Sequence, residues 1–263
     1  MIIAIDAGHY RETPGKRCSK LIDPNETREW FMNDRMARHV AEGLKKYGCE
    51  VVRCDDPSGK TDPSLTARGQ TANRAGAAVL ISIHHNAGIN GGSGGGICVF
   101  TTKKANAKRK ELQRLVYEET VKATGLKGNR AEPLPTADHT VTYTATMPAV
   151  LGEFGFMDST TDTPIIITDE FSQKCAAGIV AALVKFLDLK EGSMDHFTDI
   201  ANSGHKDAIN WLYEQGITKG YNDGTFRPDK PITRGEMATM LKRMYDSMTP
   251  QKVKLPLPDA EVK

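Results

Sequence analysis

No apolar run in this chain approaches the roughly 18–20 residues that a membrane-spanning helix needs, so no membrane partner is expected. The chain also lacks an excess of either charge. Its 35 Lys and Arg against 33 Asp and Glu give a net charge of +2, too little to argue for nucleic acid as a partner. It has no C-x-x-C pair. Its five cysteines are an odd number, so neither a disulfide framework nor a cysteine zinc knuckle is indicated. Cys98 and Cys175 fall in apolar patterns and are expected in the core, whereas Cys18 lies in a polar loop and is expected to be exposed. There is no basic start and no cleavage site ahead of the first apolar segment. The expectation is therefore a protein made and kept in the cytoplasm until something else releases it.

What is present is an alternation of strand and helix patterns, which predicts an α/β fold: a mostly parallel sheet covered by helices. Ile2–Asp6, Glu50–Arg53, Val79–Ile83, Ile97–Phe100 and Ala149–Glu153 read as strands. Glu29–Tyr47, Leu65–Ala75, Ala107–Thr124 and Phe171–Leu187 read as helices, with Gly48 and Gly125 as their natural stops. Strand order does not follow from these patterns. The glycine-rich turn over Asn90–Gly96 is not a phosphate loop, because no Lys-Ser/Thr and no helix follow it.

Near residues 191–195 the composition shifts to a short polar linker, dividing a domain at 1–190 from a small unit at 196–246. In that unit a helix is expected over Lys206–Glu214. A second is expected to begin at Thr233-Arg-Gly-Glu236, which has capping-box spacing. Residues 247–263, rich in Pro and Lys, read as a flexible tail.

Three of the apolar segments end in a polar residue: Met1-Ile-Ile-Ala-Ile-Asp-Ala-Gly-His9, Ala78-Val-Leu-Ile-Ser-Ile-His84 and Ala149-Val-Leu-Gly-Glu153. Sites in open α/β sheets assemble at strand ends. Two histidines and a carboxylate delivered there suggest a metal and a base. Taken singly, His9 is more often a turn residue and Glu153 a cap or ion-pair partner. Their co-occurrence carries the reading.

In that order, Asp6-Ala-Gly-His9, Ser82-Ile-His-His-Asn-Ala87 and Gly152-Glu-Phe-Gly-Phe156 resemble the three signatures of the zinc-dependent N-acetylmuramoyl-L-alanine amidases, over about residues 1–190. The resemblance implies a peptidoglycan hydrolase. Its Zn2+ is held by His, Glu and His, with a water in the open fourth position. His9 carries over as the first ligand. Glu26 and Glu29 compete for the second; Glu29 matches the family pattern, with Asn33 four residues on and Gly48 at the right distance. His84 and His85 compete for the third; strand alternation lets one of them reach the metal, and the family places its ligand directly after Ser-Ile, at His84. Glu153 carries over as the catalytic acid/base, where desolvation would raise its pKa. Asn86 is a weak substrate-binding candidate, and Arg68 reads as structural. His39, His139, His196 and His205 belong to no motif and read as ordinary surface or helix residues. The loop from His9 to Glu29 is longer than usual for the family and lacks its glycine pattern.

The C-terminal unit resembles an S-layer homology repeat, through Phe197-Thr-Asp-Ile, Trp211-Leu-Tyr-Glu-Gln-Gly-Ile, Gly220-Tyr-Asn-Asp-Gly-Thr-Phe-Arg-Pro and Ile232-Thr-Arg-Gly-Glu. This implies non-covalent binding to a secondary cell-wall polymer. Arg234 is the candidate for a polymer anion, and Trp211 is expected in the core. Such repeats usually come in threes and a unit of about 50 residues is marginal alone, so a homotrimer pooling three repeats is expected. With a wall-targeting repeat and no leader, a phage or prophage endolysin fits best. A host autolysin and a catalytically inactive wall-binding protein are the alternatives, and a zinc carboxypeptidase ranks low because no close His-x-x-Glu pair surrounds His9.

Overall fold

The structure is a computed structural model that describes residues 1–191 and 195–248. Most of the expected linker and all of the tail beyond residue 248 lie outside the described residues. The chain divides into two compact units, Met1–Gly192 and Ser193–Lys263.

The first unit is built on five strands, β1 (Ile2–Ala7), β2 (Glu50–Arg53), β3 (Leu80–Asn86), β4 (Ile97–Phe100) and β5 (Ala149–Phe156), in the order β2-β1-β3-β5-β4. All neighbours run parallel except β4, which pairs antiparallel with β5. The interior strands are apolar on both faces because both faces are covered, as parallel sheets require. β3 and β5 each run about three residues beyond their apolar runs. Inter-strand hydrogen bonding, which the hydrophobic pattern does not encode, carries them on.

The two faces of the sheet differ. Ile3, Ile5, Ile81, Ile83, Val99, Val150 and Phe154 meet a thick helical layer. It consists of α1 (Glu29–Lys45), α3 (Ala107–Thr124) and α6 (Asp169–Leu187). The α3 and α6 backbones touch: a Cβ on Gly178 would stand 2.6 Å from the Cα of Thr120. The opposite face carries Ala4, Leu80, Ala149 and Leu151 and is covered by α2 (Leu65–Arg74) and the short α4 (Thr140–Thr144), with Ala72 and Val141 packed on it. A further short helix, α5 (Thr163–Ile166), follows β5. Neither α4 nor α5 is long enough to leave a periodic signature in the sequence. Helix α6 starts at Asp169, two residues ahead of its apolar pattern, because the Thr168 hydroxyl caps it by accepting from the Phe171 N–H at 3.2 Å.

The thin face holds a fully buried ion pair. Arg68 of α2 is 1% exposed. Its guanidinium donates to Asp6 Oδ1 at 2.7 Å, to the carbonyls of Ala7 (2.9 Å) and His9 (2.8 Å), and to Asp62 (2.8 Å). Ser82 Oγ donates to the other Asp6 oxygen at 2.7 Å. Arg68 is thus structural, and it pins the turn that follows β1.

Cys18 departs from expectation: it is 1% exposed. The loop before α1 folds over it, and its N–H donates to the Thr27 carbonyl at 2.9 Å.

The second unit has a small core of Phe197, Ile200 and Ile209 with Phe226 against it. Its helices are α7 (Lys206–Glu214) and α8 (Arg234–Met248). The capping box is formed: Thr233 Oγ1 accepts from the Glu236 N–H at 3.2 Å, and Glu236 Oε2 accepts from the Thr233 N–H at 2.8 Å. Trp211, expected in the core, is 49% exposed. The core-facing positions of α7 are taken by Ile209 and Asn210, which places Trp211 on the outer side.

Arg68→Met should cost about 3–5 kcal/mol of stability, because it strands the Asp6 carboxylate in the interior. Urea unfolding monitored by circular dichroism measures it; a change within about 1 kcal/mol would contradict the clamp.

Candidate active site

Glu29 is the first residue of α1 and is fully buried. Its N–H donates to the Lys16 carbonyl at 3.0 Å, so the loop and the helix start are tied together. Oε1 accepts from the His85 N–H at 3.1 Å and lies 3.2 Å from His84 Nδ1. Oε2 lies 3.3 Å from His9 Nε2. Burial pushes this carboxyl up, but the nearby imidazoles of His84 and His9 outweigh it and hold the group well below the usual carboxylate range.

His9, Glu29 and His84 each offer one ligand atom, and these atoms all lie within 4.8 Å of one another. His9 Nε2 and Glu29 Oε2 are both buried without a hydrogen-bond partner; their 3.3 Å approach is too poorly directed to count as one. Two orphaned electron-pair donors beside a third donor fit a cation between them. Two nitrogens and one carboxylate oxygen are a donor set that suits zinc.

The Ala-Gly-His sequence has a steric reason. A Cβ on Gly8 would fall 2.0 Å from His84 Cε1, so only glycine lets the His84 ring lie over that backbone. His9 then turns through the left-handed region at φ 67°, with Arg68 holding its carbonyl. The two imidazoles meet edge to face at 5.0 Å.

His85 lies on the other face of β3 and is 2% exposed. Its Nδ1 is 2.8 Å from Asn33 Oδ1, and Asn33 Nδ2 donates to the Gly8 carbonyl at 3.1 Å and towards Glu29 Oε1 at 3.5 Å. Burial pushes the His85 imidazole down to about 4, so it stays neutral. With the Asn33 amide fixed by Gly8, Nδ1–H is the donor. His85 thus stands behind the trio, at neither the cleft nor its rim.

Glu153 pairs in register with His84 across β3 and β5 and shares its face of the sheet. Its Oε2 is buried and has no partner. Burial raises this carboxyl to about 7. His84 works against that rise and Glu29 adds to it, while Lys16 and Arg130 oppose it. Two carboxyl groups in one site are therefore driven apart, one ionised and one able to exchange a proton near neutrality.

Of the weaker candidates, Asn86 ends β3 with its Oδ1 accepting from the Ala87 N–H at 2.8 Å and its amide towards Cys98 Sγ at 3.9 Å. Arg234 lies in the second unit, exposed at the first turn of α8. Glu26 pairs with Arg17 at 3.1 Å in the loop. Sequence reasoning missed three neighbours of the site. Lys16 Nζ comes within 3.9 Å of Glu29 Oε2. Arg130 acts on Glu153 from the loop after α3. His139, read as an ordinary surface residue, packs edge-on against Phe100 at 5.0 Å with Nε2 buried and unpartnered. None stands in a local pattern; each arrives through tertiary contact.

Residues 3–185 match the N-acetylmuramoyl-L-alanine amidase family, and residues 196–238 match the S-layer homology domain. The N-acetylmuramoyl-L-alanine amidase CwlM of Bacillus licheniformis is 30% identical over 221 residues, covering 84% of this chain and 82% of that protein. The endolysin of Bacillus phage SPP1 is 26% identical over 186 residues, covering 64% and 68%. The crystal structure of N-acetylmuramoyl-L-alanine amidase from Clostridium difficile 630 superposes with a TM-score of 0.63 at 29% identity, over 71% of this chain and 96% of that one. The chain belongs to the N-acetylmuramoyl-L-alanine amidase family and carries an S-layer homology domain after its catalytic unit.

Proposed function

We propose that this cell-wall amidase works with Zn2+ held by His9, Glu29 and His84 and with Glu153 as its acid/base. The observation that carries the reading is the buried, unpartnered carboxyl of Glu153, level with His84 on the strand beside the orphaned His9–Glu29 pair. Zinc bound there would make a water acidic enough to attack at neutral pH and would polarise the scissile carbonyl. Glu153 takes the proton from the attacking water and returns it to the amine of the departing L-alanine. Glu29 stays ionised and does not compete for that proton, because His9 and His84 hold it as a carboxylate. Asn33 and His85 keep Glu29 in place from behind. Asn86, at the end of β3, is a lesser candidate for contact with the glycan or peptide.

The S-layer homology unit is proposed to hold the enzyme on a secondary cell-wall polymer, with Arg234 at the start of α8 facing the polymer's anions. Met237, Leu241 and Met244 repeat along α8 and are 50%, 60% and 40% exposed. That uncovered stripe supports association of three repeats in a homotrimer. Relatives include a phage endolysin and a bacterial amidase. A phage or prophage endolysin, made in the cytoplasm and released to the wall, remains the reading favoured here over a host autolysin.

Glu153→Gln should lower amide hydrolysis by about 10²–10⁴-fold while the fold persists, measured as free amino groups released from purified walls. Undiminished release would remove Glu153 from the mechanism, and no release by wild-type protein with zinc would favour an inactive wall binder.

For the wild type, kcat/KM should fall on the acid side as Glu153 takes up a proton. Burial pushes this carboxyl up to about 7, and a cation bound beside it would pull it lower, so the limb should lie at or below pH 7. Glu153→Gln should flatten that limb; the same limb persisting in the variant would assign it to another group.

Stripping with a chelator should abolish hydrolysis, and Zn2+ should restore it. Light scattering of the full chain tests the trimer, and a monomer at all concentrations would refute it.

A further inference from the structure

Two cations from separate loops lie within electrostatic range of Glu153, and among the described residues neither is spent in a tight ion pair. Lys16 is carried by the long loop between β1 and α1. Its backbone is fixed where its carbonyl accepts the Glu29 N–H at 3.0 Å, while its side chain stays 45% exposed. Among the described residues, its one carboxylate contact is the loose 3.9 Å approach to Glu29 Oε2. Glu29 is already engaged by His9, His84 and the His85 N–H, so it has little left to give Lys16.

Arg130 comes from the loop after α3. Its loop is fastened to the glycine-rich turn, where the Gly95 N–H donates to Asn129 Oδ1 at 3.0 Å, and to β4, where the Ile97 N–H donates to the Leu126 carbonyl at 3.3 Å. The guanidinium lies over the ring of Phe156, at the end of β5, with 5.4 Å to the centroid. Among the described residues it forms no ion pair. Both cations are near enough to Glu153 to stabilise its charge.

A cation in the His9–Glu29–His84 cup would draw Glu29 to itself and repel Lys16. Two cations without a tight partner among the described residues would then lie near the bond that Glu153 attends, which calls for an anionic group on the substrate. Two extended residues span at most about 7 Å. A carboxylate on the second residue of the stem peptide therefore lies within reach of a group poised beside that bond.

We propose that Lys16 and Arg130 are specificity-determining residues that grip a free carboxylate of the stem peptide, so that the enzyme prefers an acidic stem over one whose carboxylate is amidated. The proposal rests on Glu153 standing at the scissile amide. The test compares N-acetylmuramoyl-L-alanyl-D-isoglutamate with its D-isoglutamine counterpart, both with the γ-carboxyl capped as a methylamide, so that the single difference is an amide nitrogen in place of one α-carboxylate oxygen. Wild-type enzyme loaded with Zn2+ should cleave the acidic fragment with a kcat/KM about tenfold higher, mainly through KM, as expected for a charge-assisted contact. The preference should shrink as salt is raised. Lys16→Met combined with Arg130→Met should bring the ratio near one, and Lys16→Arg should keep part of it. Binding of the product dipeptides to the full chain, followed by calorimetry, should show the same order. Equal kcat/KM for the two fragments with wild type would overturn this proposal and leave the amidase reading intact. Cleavage of neither fragment, with wall hydrolysis also absent, would overturn both. A wild-type preference that survives in the double variant would move the grip to other residues and refute this assignment.

Discussion

The first unit is organised around one buried carboxylate. Glu29 has no exposed surface, yet it must carry a charge to be useful. A lone carboxylate in such a place would take up a proton, because burial favours the neutral form. Here the backbone N–H of His85, the imidazoles of His9 and His84, and the Asn33 amide converge on it. The same burial acts on Glu153 with the opposite outcome, since no donor reaches its Oε2. An ionised Glu29 also raises Glu153 further. Stabilising one carboxylate therefore helps raise its neighbour, and a shared environment separates their protonation, as the proposed acid/base role of Glu153 requires.

The asymmetry of the sheet decides where this can happen. The side chains of β3 and β5 alternate between a face sealed by α1, α3 and α6 and a face that α2 and α4 cover less fully. Glu153 and His84 sit on the second face, so the chemistry can be reached while the first face remains core. His85, one residue from His84, is sent to the sealed face and becomes a support. Arg68 closes the lower part of the thin face and holds the turn that presents His9. Stability and reactivity thus meet in Arg68, whose guanidinium binds both the core Asp6 and the carbonyl of a proposed ligand.

Much of this was legible in the sequence because it depends on local chemistry. Apolar runs marked all five strands, Gly125 stops α3 in the left-handed region at φ 74°, and alternation separated His84 from His85. Glu29 was preferred over Glu26 on a family pattern, and the structure brings Glu29 to His9 and His84 while Glu26 pairs with Arg17. What escaped depends on contacts between distant residues. Strand order, the burial of Cys18 and the positions of Lys16, Arg130 and His139 are fixed by how loops fold back over the sheet. A polar loop sequence such as that around Cys18 reports the solvated outside of the loop and says little about the residue beneath it. Trp211 failed for the opposite reason: its size suggested a core residue, but a core built from Phe197, Ile200, Ile209 and Phe226 has no place for it.

The second unit is held by different means. Its core is small, so individual hydrogen bonds and close backbone contacts do more of the work. The Asp199 carboxylate accepts from the N–H groups of Phe226 and Arg227 at 2.8 and 2.7 Å, tying the start of the unit to the turn before α8. Gly220 packs so closely on Phe197 that a Cβ there would lie 2.1 Å from its ring. Asp199, Gly220, Thr233 and Glu236 all belong to the motifs that were conspicuous in the sequence, and each is held by a specific turn, close contact or cap. They also leave apolar surface uncovered on α8, which a self-sufficient domain of this size would bury. In the catalytic unit the polar groups of the site lie inside, behind a sheet whose own apolar side chains are buried. The repeat places its polar chemistry in its turns instead, around a core of three buried side chains, and leaves Met237, Leu241 and Met244 of α8 exposed.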